Sequence, residues 1–165
     1  MQPRSRAVGR DLGFALLALG AVAAASLLGQ IATYPNLAPW YASLSKPAFN
    51  PPSWVFAPVW TTLYGLMALA AWRILRLQHA RPGRGMALLF FFVQLALNAA
   101  WSWMFFGAHS PLLGLADIVL QLLFIMAVIR LFYRLDGVAT WCLIPLAAWV
   151  AFAAVLNFSI WRLNG

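Results

Sequence analysis

WYASLSKPAFNPPSWVFAPVWTTLY, residues 40–64, lies between two long apolar stretches and decides how the rest of the chain is read. Trp40, Tyr41, Trp54, Trp60 and Tyr64 crowd it with large amphipathic rings. A flexible connector would be rich in glycine and serine, whereas Pro47, Pro51 and Pro52 fix the backbone here. The segment is therefore expected to be an ordered cap, with residues 33–52 forming a lid over something beneath it.

Composition supplies what lies beneath. Of 165 residues, 64% are hydrophobic and 8% charged, against about a quarter charged in a water-soluble domain. This chain belongs in lipid. A hydrocarbon core about 30 Å thick takes about 20 apolar residues to cross as a helix, and the sequence offers such runs at 12–32, 53–77, 86–107, 111–133 and 138–161. The expected fold is all-α, an integral-membrane bundle of five transmembrane helices forming one domain over residues 1–165. The turns at 108–110 and 134–137 are short enough to make helices three, four and five antiparallel neighbours.

Local signals support these boundaries. Ser110 is a candidate N-cap with Pro111 at the first helical position, and Pro52-Ser53 is expected to act similarly before helix two. Pro58 and Pro145 fall inside spans, where each removes a backbone donor and kinks its helix. Such kinks serve either packing or the shaping of a pocket. Arg4, Arg6 and Arg10 before an apolar run also describe a secretory leader, but the run at 12–32 is longer than the 7–15 residues usual for one.

Basic residues set the orientation. Arg4, Arg6, Arg10, Arg76, Arg81, Arg84 and Arg134 fall on one side of the up-down series, with Arg73 and Arg130 at adjoining helix ends. Only Lys46 and Arg162 fall on the other. The positive-inside rule puts the N-terminus in the cytoplasm and the lid and C-terminus outside, in what is expected to be a bacterial cell membrane. The net charge of +8 then reflects topology and contact with anionic headgroups, and no nucleic-acid partner is expected.

Polar groups within spans are where function concentrates. At about 1.5 Å per residue, Trp60, Asn98, Asp117, Gln121, Trp149 and Asn157 lie roughly 6 to 18 Å below the lid side. They share one half of the membrane, which argues for a cavity there. Helical spacing places Gln94, Asn98, Trp101, Ser102 and Phe105 on one stripe; Asp117, Gln121 and Phe124 on another; Trp60, Tyr64 and Met67 on a third; and Trp141, Pro145, Trp149 and Phe152 on a fourth. All four are expected to face inward. Gln94, Gln121 and Asn157 read as interhelical hydrogen-bonding groups, and Asn98 as a ligand contact. Asp117, the sole acid within a span, should be neutral, hydrogen-bonded or paired with a donor from a facing helix. A proton relay would need a second titratable group, and no His, Glu or Lys lies in any span.

Interfacial belts account for Trp40, Tyr41, Trp54, Tyr133 and Trp161. Trp60, Trp101 and Trp149 lie too deep for that, and their indole N–H groups need a partner such as Asn98 or a polar ligand. His79 and His109 sit in separate loops, Cys142 is alone, and no metal-binding, nucleotide-binding or nucleophile motif occurs, so no metal site is expected.

Trp40-Tyr41, Leu44-x-Lys46-Pro47, an aromatic at Phe49 and Pro51-Pro52-x-Trp54-Val55-Phe56-x-Pro58-Val59-Trp60-Thr61-x-Leu63-Tyr64 closely resemble the signature of the TspO/MBR family, the translocator or tryptophan-rich sensory proteins. Gln94-Leu-Ala-Leu-Asn98-Ala-Ala-Trp101-Ser102 and Leu156-Asn157 extend the resemblance over roughly residues 12–163. It implies a five-helix bundle that binds porphyrins, sterols and drug-like aromatics between helices one, two, three and five, closed by the first loop. Trp60, Asn98 and Trp149 match pocket positions and Tyr41 a lid position, and Trp101 joins them as a candidate contact. The implied role is tetrapyrrole binding in regulation or tetrapyrrole handling, with porphyrin as ligand and no required cofactor.

Some members carry out a Trp-dependent photo-oxidative breakdown of protoporphyrin, for which Trp60 and Trp149 would be the catalytic counterparts. Transport is the other alternative, although five spans cannot split into the equal repeats of many transporters. Relatives commonly form homodimers through helix three, where Ala96 and Ala100 would allow close approach, as Gly20 and Ala24 would in helix one. Two positions depart from the pattern. Leu156-Asn157-Phe158 lacks the tyrosine of the animal cholesterol-recognition stretch, which removes the basis for expecting sterol binding, and Phe49 stands where many relatives have tryptophan.

Overall fold

A computed structural model describes the backbone of residues 3–165 and the side chains from Val8 onward, so the Arg4 and Arg6 side chains lie outside the described residues. Among the described residues, five helices are long and apolar enough to cross a membrane: α1 (Pro3–Thr33), α2 (Ser53–Leu75), α3 (Arg84–Ser102), α4 (Pro111–Tyr133) and α5 (Gly137–Asn164). A wider, π-type turn over Trp103–Gly107 prolongs α3. The helices form a closed ring in which α1 packs on α2 and α3, α2 on α5, and α4 on α3 and α5. Each expected span is present, and α1 starts well before residue 12.

The lid is more regular than an extended loop. Tyr34–Asn36 makes a tight 3-10 turn, and Leu37–Tyr41 a wide one bent at Ala38, whose φ and ψ of −136° and 137° are extended. Ser110 caps α4 as expected, its Oγ accepting from Leu113 N at 3.2 Å with Pro111 in the first turn. The start of α2 differs from expectation. Pro52 occupies the cap position and offers no side-chain acceptor, and Ser53 is already helical. Asp136, not singled out in the sequence, caps α5 by accepting from Ala139 N at 2.8 Å.

Van der Waals packing holds the ring together, because lipid and side chain are equally apolar. Ala70, Ala71, Ala87 and Ala139 are fully buried and let backbones approach, while Met67, Ile74, Phe91, Val128, Phe132 and Leu143 fill the spaces between. Gly20, Ala24 and Ala96 instead lie exposed on outer faces, so they do not serve packing within this bundle.

Ionic contacts gather at one end. Arg73 grips Asp136 with Nε and Nη2, both at 2.9 Å. Buried Arg84 donates to the carbonyls of Ile74 at 3.2 Å and Leu75 at 2.7 Å, the first already accepting from Leu77 N and the second an acceptor that the end of α2 leaves open. Arg76 Nε lies 3.4 Å from Asp11 Oδ1. These bonds bring α1's early turns, the α2–α3 connection and the α4–α5 turn together, as the up-down reading requires. At the other end the lid is pinned twice. Asn164 accepts from Ser45 N and donates to Ser45 O, both at 2.9 Å, and Asn36 Oδ1 meets His109 Nε2 at 2.6 Å.

The stripe assigned to α5 needs correction. Trp141 is 74% exposed and Pro145 is exposed as well, so neither faces the core. Ala139, Leu143, Leu146 and Val150 do so instead. The α5 surface carrying Pro145 and Trp149 turns toward α2.

Candidate functional site

Where that surface meets α2, the two helices part. A cavity of about 580 Å³ separates them, lined by Pro58, Val59, Thr62 and Leu63 from α2 and by Pro145, Ala148, Trp149 and Phe152 from α5. Each in-helix proline lacks an N–H and its ring crowds the carbonyl one turn back, and the two stand on opposite walls of one cleft. Of the two roles open to these prolines from the sequence, this placement fits the shaping of a pocket. Leu63 is buried, whereas Pro58, Thr62, Pro145 and Ala148 are exposed, so the cleft opens outward. Its walls are apolar. The Thr62 hydroxyl is already donated to the Pro58 carbonyl at 2.9 Å.

Aromatic contacts run from the cleft to the lid. Trp149 lies 6.0 Å, edge to face, from Phe56 and 5.5 Å from Phe152. Phe152 in turn lies 6.4 Å from Phe49 of the lid. Phe49 of the lid therefore makes a ring contact down into α5.

Among the five candidate contact residues, only Trp149 lines this cleft. Trp60 and Asn98 are joined on the inner side of α2 through Tyr64. The Trp60 and Tyr64 rings are 5.3 Å apart, and the Tyr64 hydroxyl donates to Asn98 Oδ1 at 2.9 Å. Tyr41 and Trp101 meet in a third place, directly under the lid. Tyr41 packs against Phe106 at 5.4 Å and Trp101 stacks on Phe105 at 5.0 Å, within a buried cluster with Leu156 and Ile160. Lys46 sits 4.5 Å above the Tyr41 ring, and Trp40 stacks on His109 at 4.6 Å.

The indole of Trp101 finds its partner in Asn157 Oδ1, 3.1 Å away, rather than in Asn98. Asn157 also donates to the Pro111 carbonyl at 2.6 Å, so it bonds α3, α4 and α5 together, as its interhelical reading anticipated. Among the described residues, Gln94 reaches only Met67 Sδ, at 3.8 Å. Asp117 departs from expectation in one respect. Both its oxygens are buried with no hydrogen-bond partner among the described residues, as is Gln121 Nε2, so the anticipated donor from a facing helix is not there.

Sequence reasoning missed Val59, Thr62, Leu63 and Ala148 as cavity lining. The one available signal was a proline within each of two spans. The family resemblance had placed helices two and five around one pocket together with helices one and three, whereas this cleft is lined by α2 and α5 alone.

A model of the TspO/MBR family matches residues 16–162. The tryptophan-rich protein TspO of Chlorobaculum tepidum is 41% identical over 149 residues, covering 90% of this chain and 94% of that protein. The tryptophan-rich sensory protein of Cereibacter sphaeroides is 42% identical over 76% of this chain and 77% of its own length. The human translocator protein is 36% identical over 76% of this chain and 75% of its own.

Proposed function

Because the chain belongs to the TspO/MBR family and is a multi-pass membrane protein of five spans, we propose that it binds porphyrin-type tetrapyrroles and related flat aromatic ligands within the bilayer. The observation that supports this reading is the α2–α5 cleft. Its volume of about 580 Å³ falls within the roughly 300–1,000 Å³ of small-molecule sites. It carries the indole of Trp149 on an otherwise apolar wall, the combination that suits a planar macrocycle. Its outward mouth would admit a ligand dissolved in the membrane. The ring contacts from Trp149 through Phe152 to Phe49 would let occupancy reach the lid, which suits a sensory role.

Titration of the purified protein with protoporphyrin, followed by tryptophan quenching, tests the reading. Ala148→Phe fills the cleft and should weaken binding at least several-fold. Trp149→Leu, which removes a stacking contribution of about 0.5 to 1.5 kcal/mol, should weaken it by a similar factor. Unchanged affinity in both variants, with the fold intact, would exclude the cleft. Trp149→Phe keeps a stacking face but is harder to oxidise, so retained binding with lost light-driven porphyrin breakdown would assign the chain a catalytic role as well.

A further inference from the structure

At the ionic end of the bundle, α1 and α2 part over a second cavity, of about 270 Å³, lined by Val8, Arg10, Asp11, Phe14 and Arg76. Arg76 is held there from two directions. Its guanidinium carbon lies 4.5 Å from the centre of the Trp72 ring, and its Nε lies 3.4 Å from Asp11 Oδ1. One long contact uses a single donor of a group that has five, and the Nη nitrogens have no partner among the described residues. Arg10 likewise has no ion-pair partner among the described residues. Two guanidinium groups and one carboxylate thus line the cavity, which carries an excess of one positive charge.

The cavity also has a defined depth. Arg10 stands at the start of the apolar run of α1, and one to two turns further along the same face lie the half-buried Phe14 and Leu17, which is 52% exposed. This places the arginines at headgroup level, with a hydrocarbon-facing surface continuing away from them. Val8 and Phe14 add apolar wall to the cavity itself. Basic recesses between transmembrane helices are suited to lipid headgroups.

We propose that this α1–α2 cavity seats the phosphodiester of an anionic glycerophospholipid, with Arg10 and Arg76 on the phosphate and an acyl chain along Phe14 and Leu17. The charge matches. A phosphodiester is a monoanion and meets a net single positive charge, whereas free phosphate, a mixture of mono- and dianion near neutral pH, would leave the apolar wall of Val8 and Phe14 unused. The Trp72 ring beneath Arg76 holds its guanidinium at the cavity, and a planar fork of donors suits an oxyanion better than a mobile ammonium would. This site is independent of the α2–α5 cleft and stands whether or not tetrapyrroles bind there.

The test is native mass spectrometry of the full-length protein released from bilayers of equal phosphatidylglycerol and phosphatidylcholine. The parent protein should retain phosphatidylglycerol in preference. Arg10→Gln and Arg76→Gln should each reduce that preference about fivefold, the change expected for one surface charge near anionic lipid. Asp11→Asn should raise it by a comparable factor, which keeps the proposal testable if an arginine variant fails to fold. Arg81→Gln, also at this end but outside the cavity, should change little. An equal loss in Arg81→Gln would reduce the effect to a diffuse basic field and overturn the proposal. Displacement of the lipid by an equal concentration of inorganic phosphate, or no headgroup preference in the parent protein, would also overturn it.

Discussion

Trp101 donates its indole N–H to Asn157 Oδ1 across 3.1 Å, tying α3 to α5 beneath the lid. The same carboxamide donates to the Pro111 carbonyl at 2.6 Å, so one side chain closes a three-helix junction. Interhelical hydrogen bonds in membranes contribute on average about 0.6 kcal/mol and up to about 1.7. Asn157→Leu loses two of them, and it should lower the detergent-solubilised protein's thermal midpoint while shifting Trp101 emission toward that of an unbonded indole. An unchanged midpoint would show that the junction rests on packing alone.

Gly114 lies at that junction, and its lack of a side chain is structural. A Cβ there would stand 2.9 Å from Asn157 Oδ1 and 3.0 Å from Phe105. Gly114→Ala should therefore cost about 1 to 3 kcal/mol through overpacking, whereas Gly65→Ala, where a Cβ would meet nothing within 4 Å, should be neutral or slightly stabilising. Thermal midpoints measured side by side would decide between these outcomes.

The Arg73 guanidinium beside Asp136, ahead of the backbone N–H groups at the start of α5, holds that carboxyl below the usual carboxylate range. A depressed folded-state pKa means that the pair stabilises the fold fully above the unfolded value, near 4. The contribution is lost as pH falls through the lower, folded value. Midpoints of the parent protein should accordingly drop on acidification below about pH 4 more steeply than those of Asp136→Asn. At neutral pH that variant should be less stable than the parent. Parallel pH profiles would remove the pair from the account.

Orientation can be read by labelling. With Cys142, the lone and buried thiol, changed to Ser, a cysteine placed at Ser45 should react with a membrane-impermeant reagent applied outside intact cells, and one at Gln78 should react only after lysis. Positive-inside asymmetry predicts this pattern. The reverse would place the lid in the cytoplasm.

Opening of the lid should depend on Asn164. Its amide makes the paired bonds to the Ser45 backbone, which Asn164→Ala would release at about 1 kcal/mol per bond. Hydrogen exchange at residues 42–50 should then quicken, with α2 and α3 unaffected. Equal exchange would show that Tyr41, Lys46 and Phe49 hold the lid without it.

The sequence by itself determined the five spans, the Ser110 cap, the ordered lid and the gathering of arginines at one end. Those features follow from bilayer thickness, backbone hydrogen bonding and the cost of burying charge, all of which act on a segment whatever its neighbours are. The buried stripe of α3, from Gln94 through Asn98 to Ser102 and Phe105, was legible because polar residues marked it. Tertiary structure alone decided which side of α5 faces the core. Trp141 and Pro145 lie outside and Leu143 and Leu146 inside, because lipid is as apolar as the interior and hydrophobicity no longer distinguishes the two. It also decided the partners, giving Asn157 to Trp101 and Tyr64 to Asn98. Finally, it set Pro58 against Pro145 across a single cleft, a juxtaposition fixed only when α2 and α5 become neighbours in the ring.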